Sequence, residues 1–146
     1  MSGEALGLVT NCVLTGNYGR EFGGGANRAT LHSCRILRNN SFDGAGGVYE
    51  SVLENCLLDG NRASNTGGGA SRSLLSRCWL VANSAPLGAG AYFGTLDFCR
   101  IDGNTTDGSG YGGGANGSLL RDCVVSNNVA YSGAGAYAAT LVRCRV

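Results

Sequence analysis

Nine residues decide how this chain reads: Leu53-Glu54-Asn55-Cys56-Leu57-Leu58-Asp59-Gly60-Asn61. An aliphatic residue stands three before the cysteine, another two after it, and an asparagine five after it. The same frame surrounds Cys12, Cys34, Cys78, Cys99 and Cys123 and opens again at Cys144, with gaps of 22, 22, 22, 21, 24 and 21 residues. A fixed period in this range marks a solenoid, with one structural turn per repeat.

The columns extend in both directions. Three before the cysteines stand Val9, Leu31, Leu53, Leu75, Leu96, Leu120 and Leu141; two after stand Leu14, Ile36, Leu58, Leu80, Ile101 and Val125. Five after come Asn17, Asn39, Asn61, Asn83, Asn104 and Asn128, without exception. Eight before the next cysteine is a small apolar residue, Ala26, Val48, Ala70, Ala91, Ala115 or Ala136, always preceded by glycine. Every change of length falls between the asparagine and that glycine. One loop therefore absorbs insertions while the rest of each turn keeps its spacing.

Helical repeats need apolar residues spaced by three and four over ten or more positions. Here the apolar runs are short, glycine supplies 26 of 146 residues, and Pro86 is the single proline. Cys34–Ile36 and Cys78–Leu80 alternate inward and outward, as short strands do. A leucine-rich repeat would follow its asparagine with helix formers, whereas this chain follows it with glycine-rich loop. The reading is all-β: a right-handed parallel β-helix of six full turns and a partial one, its hand taken from the preference of parallel crossovers. With one strand spacing per turn, ~4.8 Å, it would stand about 30 Å tall as a single domain over 1–146.

Stacking like on like gives each column a physical role. Leucines and cysteines fill the interior, and the asparagines form a ladder whose amides bond to one another and to the turn backbone. Seven cysteines cannot all pair, and no C-x-x-C suggests zinc. They read as an interior file of free thiols, small hydrophobes in effect. Beneath the one-turn period lies a two-turn one: Tyr49, Tyr92 and Tyr137 follow the small apolar residue on alternate turns. Such a row either covers the coil wall or offers aromatic platforms to sugars.

The segments Gly24–Ala26, Gly68–Ala70 and Gly113–Ala115, with Leu14–Asn17, Leu58–Asn61 and Leu80–Asn83, resemble the G-G-A and F-x-x-N repeats of chlamydial polymorphic outer membrane proteins. Similar N-C-x-L-x-x-N units occur in pectin-lyase-like bacterial surface proteins. The resemblance runs from about Leu8 to the end. It departs from the chlamydial pattern where leucine, isoleucine or valine replaces phenylalanine, and no autotransporter barrel follows. It implies a β-helix exposed on a bacterial surface or secreted, but β-helices host enzymes, adhesins and spacers alike.

Catalysis is not the expectation. Hydrolysis on a β-helix wants two acids in different protonation states on adjacent turns. The outward column two before cysteine runs Thr10, His32, Glu54, Ser76, Asp97, Arg121 and Val142, so His32 with Glu54 and Asp97 with Arg121 read as surface pairs. The column three after cysteine holds Asp59 and Asp102 with Val81 between them. No cofactor and no metal is expected, since the calcium-binding nonapeptide is also absent.

Two surfaces remain as candidates. Strand alternation turns Arg35, Leu37, Leu57, Trp79, Val81 and Arg100 outward together, and a patch with tryptophan and arginine suits a partner face. The longest loop, Asn104 to Ala115, carries Asp107, Ser109 and Tyr111 at its tip and suits a specificity loop. Net charge is +1, all eleven basic residues are arginine, and they are scattered, which argues against nucleic acid. No apolar stretch is long enough to span a membrane. Met1 to Gly7, a short N-terminal extension or an added segment, is too short and polar for a signal peptide.

Neither end carries a blocking helix, proline or lysine, so the expectation is a piece of a longer solenoid or a homo-oligomer paired through bare ends or the Trp79 face. The functional expectation is a non-enzymatic repeat scaffold of a bacterial cell-surface or secreted adhesin-like protein. The alternative is a carbohydrate-binding or carbohydrate-active β-helix fragment.

Overall fold

The structure, a computed structural model, describes residues 7–146. Most of the expected N-terminal extension therefore lies outside the described residues, and Gly7 opens the first strand, Gly7–Thr10. The chain is a parallel β-solenoid of about six turns. Each strand pairs in parallel with its counterpart one turn away, so Leu58 faces Ile36 on one side and Leu80 on the other.

Four sheets wrap the coil. The first has seven strands: Gly7–Thr10, Ala29–His32, Val52–Glu54, Leu74–Ser76, Thr95–Asp97, Leu119–Arg121 and Thr140–Val142. The second has six: Val13–Thr15, Arg35–Leu37, Leu57–Asp59, Trp79–Val81, Arg100–Asp102 and Val124–Ser126. The third is short, Tyr18–Gly19, Asn40–Ser41 and Arg62–Ala63, and continues as single bridges through Ser84, Thr105 and Val129. The fourth joins Ala26–Asn27, Val48–Tyr49, Ala70–Ser71, Ala91–Tyr92, Ala115–Asn116 and Ala136–Tyr137.

Left-handed corners separate the fourth sheet from the first, the first from the second and the second from the third. Among the described residues, φ is positive six before, one before and four after the cysteines: Arg28, Ser33 and Arg38 in one turn, Phe93, Phe98 and Gly103 in another. Fifteen of these corner residues are not glycine, and an L-residue gives up about 1–2 kcal/mol in this region. The return is that the corner N–H groups before the last turn still bond to the next turn, as from Arg28 to the Tyr49 carbonyl and from Ser33 to that of Glu54. No corner holds a β-branched residue, which would suffer most there.

The interior is closed. Leu31, Leu53, Leu96 and Leu120 from the first sheet meet Ile36, Leu58, Leu80 and Ile101 from the second, all fully buried. Each such side chain contributes about 1.5–3 kcal/mol relative to exposure. The asparagine ladder is present as read. Asn83 Oδ1 accepts from the Asn61 backbone N–H (2.9 Å) and Asn61 Nδ2 (3.0 Å), while its Nδ2 donates to the Leu58 carbonyl and Asn104 Oδ1. The motif repeats from Asn17 to Asn128. A second polar stack lies five before cysteine, where Ser51 Oγ accepts from Ala29 N–H and Ser73 Oγ from Ser51 N–H. Among the described residues, only the buried hydroxyls of Ser41 and Thr106 lack a partner.

All seven cysteines are free and in one file, with Cys34, Cys56, Cys78, Cys99 and Cys123 buried. Cys12, in the first turn, is exposed and Cys144 is half-buried, because no turn covers them; the expectation of seven interior thiols holds for the five between. The buried thiols donate to backbone carbonyls, as Cys56 does to those of Leu31 and Glu54. Their sulfurs also accept from the backbone of the turn before, as Cys56 Sγ does from Cys34 N–H and Cys123 Sγ from Cys99 N–H. The stacked thiols influence one another, so titration belongs to the file rather than to single residues. Cys78 and Cys123 are pushed up, by the neighbouring thiols of Cys56 and Cys99 and then by burial.

Glycine is indispensable where turns touch. A Cβ at Gly69 would lie 2.6 Å from the Gly90 carbonyl oxygen, and one at Gly47 would lie 2.3 Å from that of Gly69. That accounts for the invariant glycine before the small apolar column.

Candidate functional site

The second sheet presents one column, one residue after each cysteine, in register from Val13 through Arg35, Leu57, Trp79 and Arg100 to Val124. Inward neighbours Ile36, Leu58 and Leu80 are buried, so this column points out by alternation. Trp79 is 56% exposed at its centre. The Arg100 guanidinium lies 5.7 Å from the indole centroid and 3.8 Å from Asp102, which holds it across the ring. Beside it a groove of ≈ 380 Å³ opens, lined by Arg35, Leu57 and Trp79 of this column and by Ser33, Asn55 and Arg77 from the neighbouring corner.

The groove is polar at its rim and cationic. Arg77 is tied to Glu54 at 3.0 Å, and Glu54 also meets His32 Nε2 at 3.5 Å, while His32 Nδ1 shares a 3.0 Å hydrogen bond with Ser33 Oγ. The expected His32–Glu54 and Asp97–Arg121 pairs are both present, the latter at 3.1 Å. Each lies at the surface and is at least partly exposed, and such pairs are worth about 0–1 kcal/mol.

Of the six residues expected on the partner face, Arg35, Trp79 and Arg100 are well exposed, but Leu37, Leu57 and Val81 are only half-buried. Leu37 and Val81 lie in the neighbouring column with Thr15, Asp59 and Asp102, three after cysteine. The face is thus one exposed aromatic side chain between Leu57 and Arg100, with Val13 and Val124 exposed at the ends of the column.

The specificity loop lies at a different corner. The 24-residue turn exceeds the 21-residue turns by three, and the three are Asp107, Gly108 and Ser109, which project between Thr106 and Gly110. Asp107 pairs with Arg62 at 3.5 Å. Tyr111 does not stand at the tip. It bridges to Leu87 and Ser132, and its ring packs 4.9 Å from Tyr137 and 6.5 Å from Tyr131.

This corner and the fourth sheet beside it also gather aromatic residues that the sequence leaves scattered. Phe22 packs 4.8 Å from Tyr49, and Phe93 packs edge-on at 4.7 Å from Tyr92. Two acids stand on consecutive turns here, which neither acid-bearing column considered in the sequence shows: the Glu21 backbone carbonyl accepts from the Gly44 N–H beside Asp43, and Asp43 Oδ1 accepts from Asn65 Nδ2 on the next turn. Glu21, Asp43 and Asn65 all stand nine residues after a cysteine, so the column is legible in the sequence once that loop position is followed from turn to turn. Burial raises the Tyr49 phenol above its ordinary value, and Glu50 adds to the shift.

No group of three or more histidine, cysteine or acidic side chains placed to hold a metal ion occurs among the described residues, and no helix of these residues is long and apolar enough to cross a membrane. No protein-family model and no curated protein sequence matches the chain.

Proposed function

We propose that this chain is a non-enzymatic repeat scaffold of a bacterial cell-surface or secreted, adhesin-like protein, with the Trp79 face as its contact surface. One observation carries the reading. A tryptophan more than half exposed, capped by Arg100 and opening on a groove beside Arg35, stands on a sheet whose inward residues already satisfy the core. Nothing in the stacking requires an indole there; leucine, valine or arginine fills that column elsewhere. Tryptophan and arginine together are the residue types that dominate contact energies. The likeness of the repeats to those of chlamydial polymorphic outer membrane proteins, right-handed β-helices, supports the surface location. The partner is a surface protein or glycan, and self-association through this face or the terminal turns is a further mode.

Beads coated with the purified protein test this on cultured epithelial cells. Wild type should adhere, and Trp79→Ala and Arg100→Ala should adhere several-fold less while melting at an unchanged temperature. Equal adhesion by the variants would reject the face. Release of new reducing ends or unsaturated products from polysaccharides would reject the non-enzymatic reading in favour of a carbohydrate-active β-helix.

A further inference from the structure

We propose that the corner beside the variable loops is a binding strip for neutral oligosaccharides, built on tyrosines from alternate turns. This site is separate from the Trp79 face, since it belongs to the fourth sheet and the loops that enter it.

The fourth sheet needs one small inward residue per turn, and Ala26, Val48, Ala70, Ala91, Ala115 and Ala136 supply it. The residue after it faces outward, and in register these read Asn27, Tyr49, Ser71, Tyr92, Asn116 and Tyr137. Stacking treats every turn alike, so the pairing gives no reason for a period of two. The tyrosines stand about 9.6 Å apart, twice the strand spacing, with Ser71 or Asn116 buried between them. That interval leaves room for a sugar ring to lie against each aromatic side chain in succession.

Each tyrosine has a second aromatic beside it: Phe22 with Tyr49, Phe93 with Tyr92, Tyr111 with Tyr137, and Tyr131 beyond. Seven of the eleven aromatic residues thus lie along the fourth sheet and the corners that flank it, Phe93 on the side toward the first sheet and Phe22, Tyr111 and Tyr131 on the loop side. Phe22, Phe93 and Tyr131 remain 45%, 57% and 74% exposed, although a cover for the coil wall would bury its rings. Between Tyr49 and Tyr92 a cleft of ≈ 220 Å³ opens, rimmed by Glu21, Asp43, Thr66 and Arg72.

The chemistry of the cleft selects the ligand. Aromatic faces take the C–H face of a pyranose by dispersion. Carboxylates accept from sugar hydroxyls, Arg72 donates to them, and the Thr66 hydroxyl can do either. Asp43 is held in place by Asn65 Nδ2 at 3.0 Å. Two acids against one arginine leave the rim negative, which disfavours uronates, sulfated sugars and phosphates. An uncharged, hydroxyl-rich ring fits both the platforms and the rim.

The test is calorimetric titration of the full chain with cello-, manno-, xylo- and galactohexaose, and with hexagalacturonate as the acidic counterpart. At least one neutral hexaose should bind, hexagalacturonate should not, and Tyr49→Ala and Tyr92→Ala should each weaken binding by about tenfold. Tyr92→Phe, which keeps the ring, should bind as wild type does, and tyrosine ring resonances of the wild-type protein should shift on titration. The ring shifts keep the test decisive if an alanine variant fails to fold. Absence of binding by all four neutral sugars at millimolar concentration would overturn the proposal, as would stronger binding of the uronate. Loss of binding in Trp79→Ala with no effect of the tyrosine variants would also overturn it, and would move the sugar site to the scaffold's other face.

Discussion

Removing one amide from the middle of the asparagine ladder should cost far more than removing one from its first turn. Asn83 is fully buried and makes four side-chain hydrogen bonds, two accepted from Asn61 and two donated, to Leu58 O and Asn104 Oδ1. In Asn83→Ala the Asn61 backbone N–H and one Nδ2 hydrogen lose their only acceptor in a closed interior, and Leu58 O loses a donor. An orphaned buried group costs about 1–3 kcal/mol, so two to three of them, partly relaxed, amount to about 3–5 kcal/mol. Asn17 is exposed and gives its side-chain amide to Asn39 Oδ1 alone, an acceptor that keeps the Asn17 N–H as a second partner. Asn17→Ala should therefore cost about 1 kcal/mol or less. Urea unfolding followed by circular dichroism measures both, with the slope checked for constancy. Equal losses in the two variants would show that the amides are not acting as a stacked, water-excluded ladder.

Four further outcomes follow from the same geometry. Thiol labelling of the native protein should find Cys12 fast, Cys144 slower and the five buried thiols protected, with all seven reacting after denaturation; a disulfide under non-reducing conditions would contradict this. Asp102 is held below the ordinary carboxylate range by hydrogen bonds from Ser126 and Asn127, and Asp122 by Arg143. Carboxylates lowered in this way stabilise the fold above their unfolded value, near 4, and lose that contribution as pH falls through the folded value. The melting temperature should thus decline below about pH 4, and less steeply in Asp102→Asn and Asp122→Asn. Gly69→Ala drives a methyl into the Gly90 carbonyl and should lose at least about 1–3 kcal/mol, whereas Phe98→Gly, at an exposed left-handed corner, should change stability by less than about 1 kcal/mol. Deleting Asp107–Ser109 restores the 21-residue turn and should leave stability within about 1 kcal/mol, but extending the deletion to Gly110 removes the carbonyl that accepts from Tyr131 N–H and should cost more.

The fold was legible because a solenoid repeats its constraints. Leu53, Cys56, Leu58 and Asn61 each meet their own kind above and below, so a core column appears as a sequence column. The left-handed corners were not legible, since Arg28, Glu50 and Phe93 share no side-chain chemistry; what they share is an exclusion of β-branched residues. The serine stack was broken by Ala29 and Gly94 and passed unnoticed. For the Trp79 face, alternation gave the direction of the side chains but not their exposure, which the neighbouring column reduces at Leu57. The aromatic corner was the least legible part. The longer 24-residue turn shifts Tyr111 out of column, so only closure of the turn brings it to Tyr137, whereas Glu21 and Asp43 share one offset from their cysteines.

The central claim is that successive turns stack in register, one asparagine above the next. Nuclear Overhauser spectroscopy on protein labelled only at asparagine side-chain amides tests this most directly. The expected result is an unbroken file of contacts, Asn39 to Asn61 to Asn83 to Asn104 to Asn128, with slow exchange of these amides. Fast-exchanging amides with no contacts between asparagines one turn apart would contradict it.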